Sequence, residues 1–294
     1  MQIQTSLDTP HPSLHFCHLP QRRRNRIVTG VTLLIWSVLL PISSAFAADI
    51  TIAGQAAVLM DERTGKILWQ RNRDLSLAPA STTKILTALV VLEQSKPNNI
   101  VTVPVEATKA TGGTAHLRAG ERLPVQQLLH GMMLGSANDA AISLAHHAGG
   151  SLGRFVNMMN DKARTIGALR SSFRNPTGLP QKGHVTTAYD LAIITRAALA
   201  HADFRKLVAA KKYWWQSAKR QGEVKNSNLL LESYPGATGV KTGQTREAGF
   251  CLVAAAARGE ESLIAVVLKS TEKSGWQDAR NLLDYGFAGL RSER

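Results

Sequence analysis

Ser81-Thr82-Thr83-Lys84, Ser136-Ala137-Asn138 and Lys241-Thr242-Gly243 each occur once, in that order, with 55 residues from Ser81 to Ser136 and 105 from Ser136 to Lys241. A serine hydroxyl is a weak nucleophile until a neighbouring base takes its proton. Lys84 stands three residues after Ser81 at a predicted helix start, so the two share a face about one turn apart. The unpaired N–H groups and positive potential of a helix N-terminus suit a developing negative charge. Lys84 works as a base only while its amine is neutral, and burial together with the charge of Lys241 lowers a lysine pKa. Alone, a Ser-x-x-Lys string is ordinarily a cap followed by a solvated lysine. The ordered set is what carries the chemistry.

Ser136 and Asn138 fall in a predicted connection between helices and offer a second hydroxyl and an amide. The hydroxyl can relay a proton to a leaving amine. The amide can hold a substrate backbone group and orient Lys84. On their own such residues usually serve turns and caps. Lys241, Thr242 and Gly243 lie on a predicted strand, where a cation and a hydroxyl suit a carboxylate arriving as an added strand. Gly243 leaves that approach open, and the backbone N–H of Gln244 pairs with that of Ser81 as a candidate oxyanion hole. A protective lysine on an edge strand is the everyday alternative.

Other candidates are weaker. His146 and His147 are neighbours on a helix, hence about 100° apart, and no His-Glu-x-x-His string accompanies them. No metal or other cofactor is expected. Cys251 follows Phe250 in an apolar strand and reads as core. Trp214 and Trp215 can line a cleft or pack beneath a long loop, the second being the commoner use.

These residues need elements to position them. Residues 56–61 and 67–70 read as strands around a Gly-containing turn. A helix is predicted from Ser81 to about Glu93, and another from Pro124, a residue suited to a first helical position, to about Leu134. Further helices are expected at 139–147, after Ser151 to about Ile166, from Thr187 to about Ala200, and at 202–211. Residues 174–180 (Arg-Asn-Pro-Thr-Gly-Leu-Pro) read as a loop. Residues 240–242, 250–257 and 262–269 read as strands, the last two as a hairpin across 258–261, and 276–285 as a closing helix. Strands at both ends with helices between imply one discontinuous antiparallel sheet.

The first 47 residues read as an export signal: an arginine cluster at 22–24 and 26, an apolar run over 27–40, Pro41, and Ala45-Phe46-Ala47 before the expected cut. The run of about 14 residues falls short of the roughly 20 that a spanning helix requires. The full chain of 294 residues has 35 Lys+Arg against 21 Asp+Glu. Four arginines and Asp8 leave with the leader, so 31 basic and 20 acidic residues remain, a net charge of +11. Such a charge favours polyanionic surroundings or simply solubility. An export signal without a nucleic-acid-binding motif argues against nucleic acid. Cys17 also leaves, and Cys251 alone forms no intramolecular disulfide. The expected organisation is a leader at 1–47 and a single domain at 48–294, secreted to the periplasm or extracytoplasmic cell-wall space, with at most peripheral membrane or wall association.

Around the three motifs stand Ala78-Pro79-Ala80, Leu134-Gly135 and Asp139-Ala140, Asn175-Pro176-Thr177-Gly178-Leu179, Thr187-Ala188-Tyr189-Asp190, Asn226-Ser227-Asn228-Leu229-Leu230 and Gly239-Val240. With these strings the chain resembles the low-molecular-mass penicillin-binding proteins of the serine D-Ala-D-Ala carboxypeptidase family, from about Gly54 to Leu290. The resemblance implies an α/β fold of the β-lactamase/transpeptidase-like kind, an antiparallel sheet flanked by terminal helices with an all-helical insert. It implies Ser81 as acylated nucleophile, Lys84 as base, Ser136 and Asn138 as relay and binding pair, and Lys241 and Thr242 as carboxylate clamp. It implies cleavage of D-Ala-D-Ala, or another D-D bond, in peptidoglycan stem peptides (pentapeptides or crosslinked muropeptides) through an acyl-enzyme, with β-lactam antibiotics as covalent inhibitors.

Departures from the family pattern keep alternatives open. Many relatives add a β-rich second domain and a C-terminal amphipathic helix, and neither is expected after Lys241. This brings the chain nearer the single-domain D,D-endopeptidase branch, which cuts crosslinked muropeptides. A class A-like β-lactamase shares the motifs but uses a Glu-x-x-Leu-Asn loop, which does not occur between Ser136 and Lys241. A non-catalytic penicillin-sensing or wall-binding module is expected to lose a motif member, and none is lost. Some relatives use an arginine near the end of the last strand, where Lys269 is the nearest cation here.

Overall fold

The computed structural model describes residues 50–218 and 220–292; the expected leader lies outside them. The chain opens with β1 (Ala56–Asp61) and β2 (Ile67–Arg71), then a 3₁₀ turn at Ala80–Thr83 leading into α1 (Lys84–Gln94). β3 (Ile100–Thr102), a 3₁₀ turn at Val105–Lys109 and β4 (Arg122–Pro124) precede α2 (Val125–Met133), α3 (Asn138–Gly149) and α4 (Leu152–Thr165). α5 (Ala188–Leu199), α6 (Ala202–Ala209), the β5–β6 ribbon (Lys212–Gln216 and Gln221–Lys225) and the single turn α7 (Leu230–Ser233) follow. The chain closes with β7 (Ala237–Thr245), β8 (Gly249–Arg258), β9 (Glu261–Ser270) and α8 (Glu272–Ser292).

The five-stranded sheet has the order β2-β1-β9-β8-β7, antiparallel throughout. β1 from one end of the chain thus pairs with β9 from the other, and the helices α1 to α6 are inserted between β2 and β7. Successive side chains of a strand point to opposite faces, and here both faces are covered. Val58, Val253, Ala255, Ile264 and Val266 face the helical insert. Leu59, Leu252, Ala254, Leu263 and Val267 face Leu282, Leu283 and Phe287 of α8. That is why these strands read as unbroken apolar runs rather than alternating ones. The buried carboxylate of Asp278 on α8 accepts hydrogen bonds from the N–H groups of Ala53 and Gly54, tying the start of the fold to its last helix. β7 is an edge strand.

Several expectations are corrected. Ser81 lies not in an α-helix but in the 3₁₀ turn before it, because Ala80 adopts φ 47° and Thr82 Oγ1 donates to Pro79 O at 2.6 Å, tightening the chain. Pro124 pairs in β4 with extended backbone (φ −69°, ψ 147°) and precedes α2 rather than opening it. The last helix extends beyond 276–285 in both directions, and residues 210–211 lie outside α6. Trp214 and Trp215 part company: Trp215 is buried against Gly131, whereas Trp214 is 60% exposed.

Candidate active site

The long strings between Ser81 and Lys241 converge on one cleft of about 310 Å³ between β7, the 3₁₀ turn, the start of α3 and the first turns of α8. Ser81, Ser136, Asn138, Thr242, Gly243 and Gln244 line it. A larger cavity of about 630 Å³, between the β1–β2 turn and α5–α6, contains none of the motif residues.

Ser81 is half-buried, and Lys84 Nζ lies 2.9 Å from its Oγ. In a 3₁₀ turn residues i and i+3 eclipse, which aligns this pair more directly than an α-helical start would. Lys84 Nζ also donates to Asn138 Oδ1 at 2.7 Å and to the Thr177 carbonyl at 2.6 Å. Burial, and secondarily the charge of Lys241, hold the Lys84 pKa well below that of a free lysine. A neutral amine has two N–H groups and one lone pair. In that form Asn138 Oδ1 and Thr177 O would take the two hydrogens and leave the lone pair for the Ser81 hydroxyl.

Asn138 opens α3, and its Nδ2 donates to Thr111 O at 2.7 Å, so its amide is held from both ends. The next residue, Asp139, is buried and accepts from the N–H groups of Ala115 and Leu117, fastening the cleft wall at 111–117. Ser136 lines the cleft from a left-handed backbone conformation, φ 59°.

Lys241 is buried, does not line the cleft, and donates to Thr242 O at 2.9 Å. Burial lowers its pKa to about 7. Thr242 is the member of that pair facing the cleft, its Oγ1 2.8 Å from Ser227 Oγ. Gly243 serves more than an open approach: a Cβ there would stand 2.6 Å from the Ser81 nitrogen, so β7 lies directly against the Ser81 turn. Lys269 is exposed, with φ 52°, and is not among the cleft residues.

The loop at 174–180 supplies what motif reading did not assign. Asn175 Oδ1 accepts from the N–H groups of Thr177 and Gly178. That turn aims the Thr177 carbonyl at Lys84. Gly178 has φ 83°, and a Cβ there would stand 1.8 Å from Ala80 O. Thr87 of α1 donates to Pro176 O at 2.8 Å, locking loop to helix. The asparagine followed by Pro-Thr-Gly was the available signal, an Asx turn, but its partner is distant in the chain. Ser227, Phe250, Glu272 and Trp276 are cleft residues that also went unassigned. Among the described residues no cluster of three or more metal-ligating side chains occurs.

A serine beside a desolvated lysine, on a turn held against the edge of an antiparallel sheet, is the layout of a serine peptidase. A family model described as D-alanyl-D-alanine carboxypeptidase matches residues 43–272, and the chain belongs to that family. It is 36% identical over 272 residues to the D-alanyl-D-alanine carboxypeptidase DacF of Bacillus subtilis (strain 168), covering 87% of this chain and 70% of that one. It is 37% identical over 240 residues to DacB2 of Mycobacterium tuberculosis, also named a D-alanyl-D-alanine carboxypeptidase, covering 80% and 82%. The solved structure of the Streptomyces K15 DD-transpeptidase superposes with a TM-score of 0.78 at 36% identity, covering 82% of this chain and 99% of that one. The expected fold is therefore found. No helix among the described residues is long and apolar enough to cross a membrane.

Proposed function

We propose that this serine peptidase removes the terminal D-alanine of peptidoglycan stem peptides through an acyl-enzyme on Ser81. The observation that carries this reading is the three-way hold on Lys84 Nζ, at 2.9 Å from Ser81 Oγ with both acceptors in place. Ser81 Oγ attacks the carbonyl of the penultimate D-alanine while its proton passes to the neutral Lys84 amine. The resulting ammonium has three N–H groups for Ser81, Asn138 and Thr177, so the transfer needs no rearrangement. The N–H groups of Ser81 and Gln244 hold the oxyanion. Ser136 relays a proton to the departing amine, D-alanine leaves, and water then hydrolyses the ester.

The substrate adds as a strand to the free edge of β7. Thr242 and Ser227 meet its terminal carboxylate, with the buried Lys241 ammonium held at the Thr242 carbonyl. A β-lactam, which carries a comparable carboxylate and a strained amide, is expected to stop at the ester. The arginine cluster, apolar run and Ala45-Phe46-Ala47 support export to the periplasm or cell-wall space, with 1–47 as leader and the remainder as a single domain. The test is digestion of uncrosslinked pentapeptides and crosslinked muropeptides by the purified protein. Free D-alanine from the former, absent with Ser81→Ala, is the expected result. Cleavage of crosslinks alone would replace this reading with that of an endopeptidase.

A further inference from the structure

We propose that the cavity of about 630 Å³ between the β1–β2 turn and α5–α6 is a binding site for a phosphate monoester, its oxygens held by Arg63, Arg196 and Tyr189. This site goes beyond the peptidase reading and does not depend on it.

Its place follows from the sheet. The N–H of Glu62, just after β1, donates to Ser262 O at 2.8 Å near the start of β9. The last residue of β9, Ser270, pairs with Phe250, which lines the catalytic cleft. β9 has ten residues, so roughly 30 Å of strand separates the cavity's end of the sheet from the cleft's end. A ligand in the cavity leaves the cleft open.

The lining has the chemistry of an anion site. The guanidinium groups of Arg63, Arg196 and Arg205 stand against the single carboxylate of Glu62. Arg205 is committed to that carboxylate at 2.7 Å. Arg196 is fixed by the turn: its Nε donates to Glu62 O at 2.7 Å and its Nη2 to Arg63 O at 2.9 Å. Gly65, with φ 77°, makes room for the guanidinium, since a Cβ there would stand 3.2 Å from Nη1. The fork is thus held before any ligand arrives, with Nη1 unclaimed. The Arg63 guanidinium and the Tyr189 hydroxyl have no hydrogen-bond or ion-pair partner among the described residues. Arginine forks match carboxylate and phosphate alike. A phosphate monoester, close to a dianion with three terminal oxygens, answers two unspent cations and a phenol better than a singly charged carboxylate does. Met60 and Ile193 add apolar lining for the organic part of the ester, and the volume suits a small-molecule site. Arginines that only fasten the β1–β2 turn are the everyday alternative, and titration separates the two.

The experiment is a ³¹P NMR titration of the purified protein with two probes: sn-glycerol 3-phosphate, and dihexanoylphosphatidic acid below its micelle concentration. Saturable binding of at least one probe, weakened by salt, is expected. R63E is expected to weaken it roughly tenfold and Y189F about threefold, in line with a charge-assisted and a neutral hydrogen bond. K109E makes the same change of charge at an exposed position outside the cavity and is expected to bind as the wild type does. Circular dichroism checks that each variant is folded. Tighter binding of the acylated probe names a lipid headgroup as the source of the phosphate; equal or tighter binding of glycerol phosphate names a water-soluble phosphate ester. No saturable binding of either probe, wild-type affinity in R63E or Y189F, equal loss in R63E and K109E, or displacement of the bound probe by equimolar hexanoate overturns the site.

Discussion

The chemistry of this site is set by how few hydrogens Lys84 has to share. Two acceptors that never donate, an amide oxygen and a backbone carbonyl, hold its N–H groups, so the neutral amine has its lone pair left for Ser81, 2.9 Å away. The pH dependence follows with a definite sign. Lys84 must be neutral to act, so acylation by benzylpenicillin rises from acid as Lys84 loses its proton. Lys241 must be charged to attract a carboxylate. Its lowered pKa of about 7 means that this attraction weakens as pH rises through 7. A bell-shaped rate constant is expected, and a flat profile across both limbs would remove Lys84 and Lys241 from these roles. Lys84→Arg, whose guanidinium keeps its proton, is expected to lose acylation at every pH. Ser81 with Lys84 was legible because their relation is local. Thr177 was not, because its carbonyl reaches Lys84 from 93 residues away.

At the scale of elements, the nucleophile turn is clamped between two backbones with no room for a side chain. β7 touches it through Gly243 and the 174–180 loop through Gly178. Gly178→Ala adds a Cβ where Ala80 O stands and must displace the turn, so benzylpenicillin acylation is expected to fall roughly a hundredfold. Gly120→Ala is the control: it has φ 78°, close to the 83° of Gly178, but nothing within 4 Å, and its acylation rate should stay near wild type. Equal loss in both variants would assign the effect to backbone strain and not to contact with the turn. The long helices and the paired strands β8 and β9 were readable from capping residues and apolar runs. The β3–β4 ribbon, three residues per strand, is too short for a period to register. The β5–β6 ribbon hides in Lys-Tyr-Trp-Trp-Gln, which does not alternate cleanly, and the exposure of Trp214 beside the buried Trp215 is intelligible only once that pairing is known. The role of α8 at the cleft was likewise hidden, since it depends on which strand lies at the sheet edge.

For the whole molecule, stability and reactivity share one buried network around α1. His184 Nδ1 accepts from the Arg174 N–H, so Nε2 carries the proton and donates to Thr83 Oγ1 at 2.9 Å, beside the nucleophile turn. Burial, and then the charge of Arg174, depress its pKa from 6.5 to about 4. The unfolded chain therefore takes up a proton that the folded chain refuses. Stability is full above 6.5 and declines as pH falls toward 4, by roughly 3 kcal/mol. Thermal unfolding followed from pH 7 to 4 should show that decline, and H184Q should flatten it; an equal decline in both would place the acid sensitivity elsewhere. The discontinuous sheet, the helical insert and the order of the three motifs bring Ser81 and its proposed partners together from segments far apart in the chain. Intact-protein mass spectrometry after incubation with benzylpenicillin tests this most directly. One covalent penicilloyl adduct mapped to Ser81, and absent from Ser81→Ala, is the expected result. An unmodified wild-type protein, or an adduct on another residue, would contradict it.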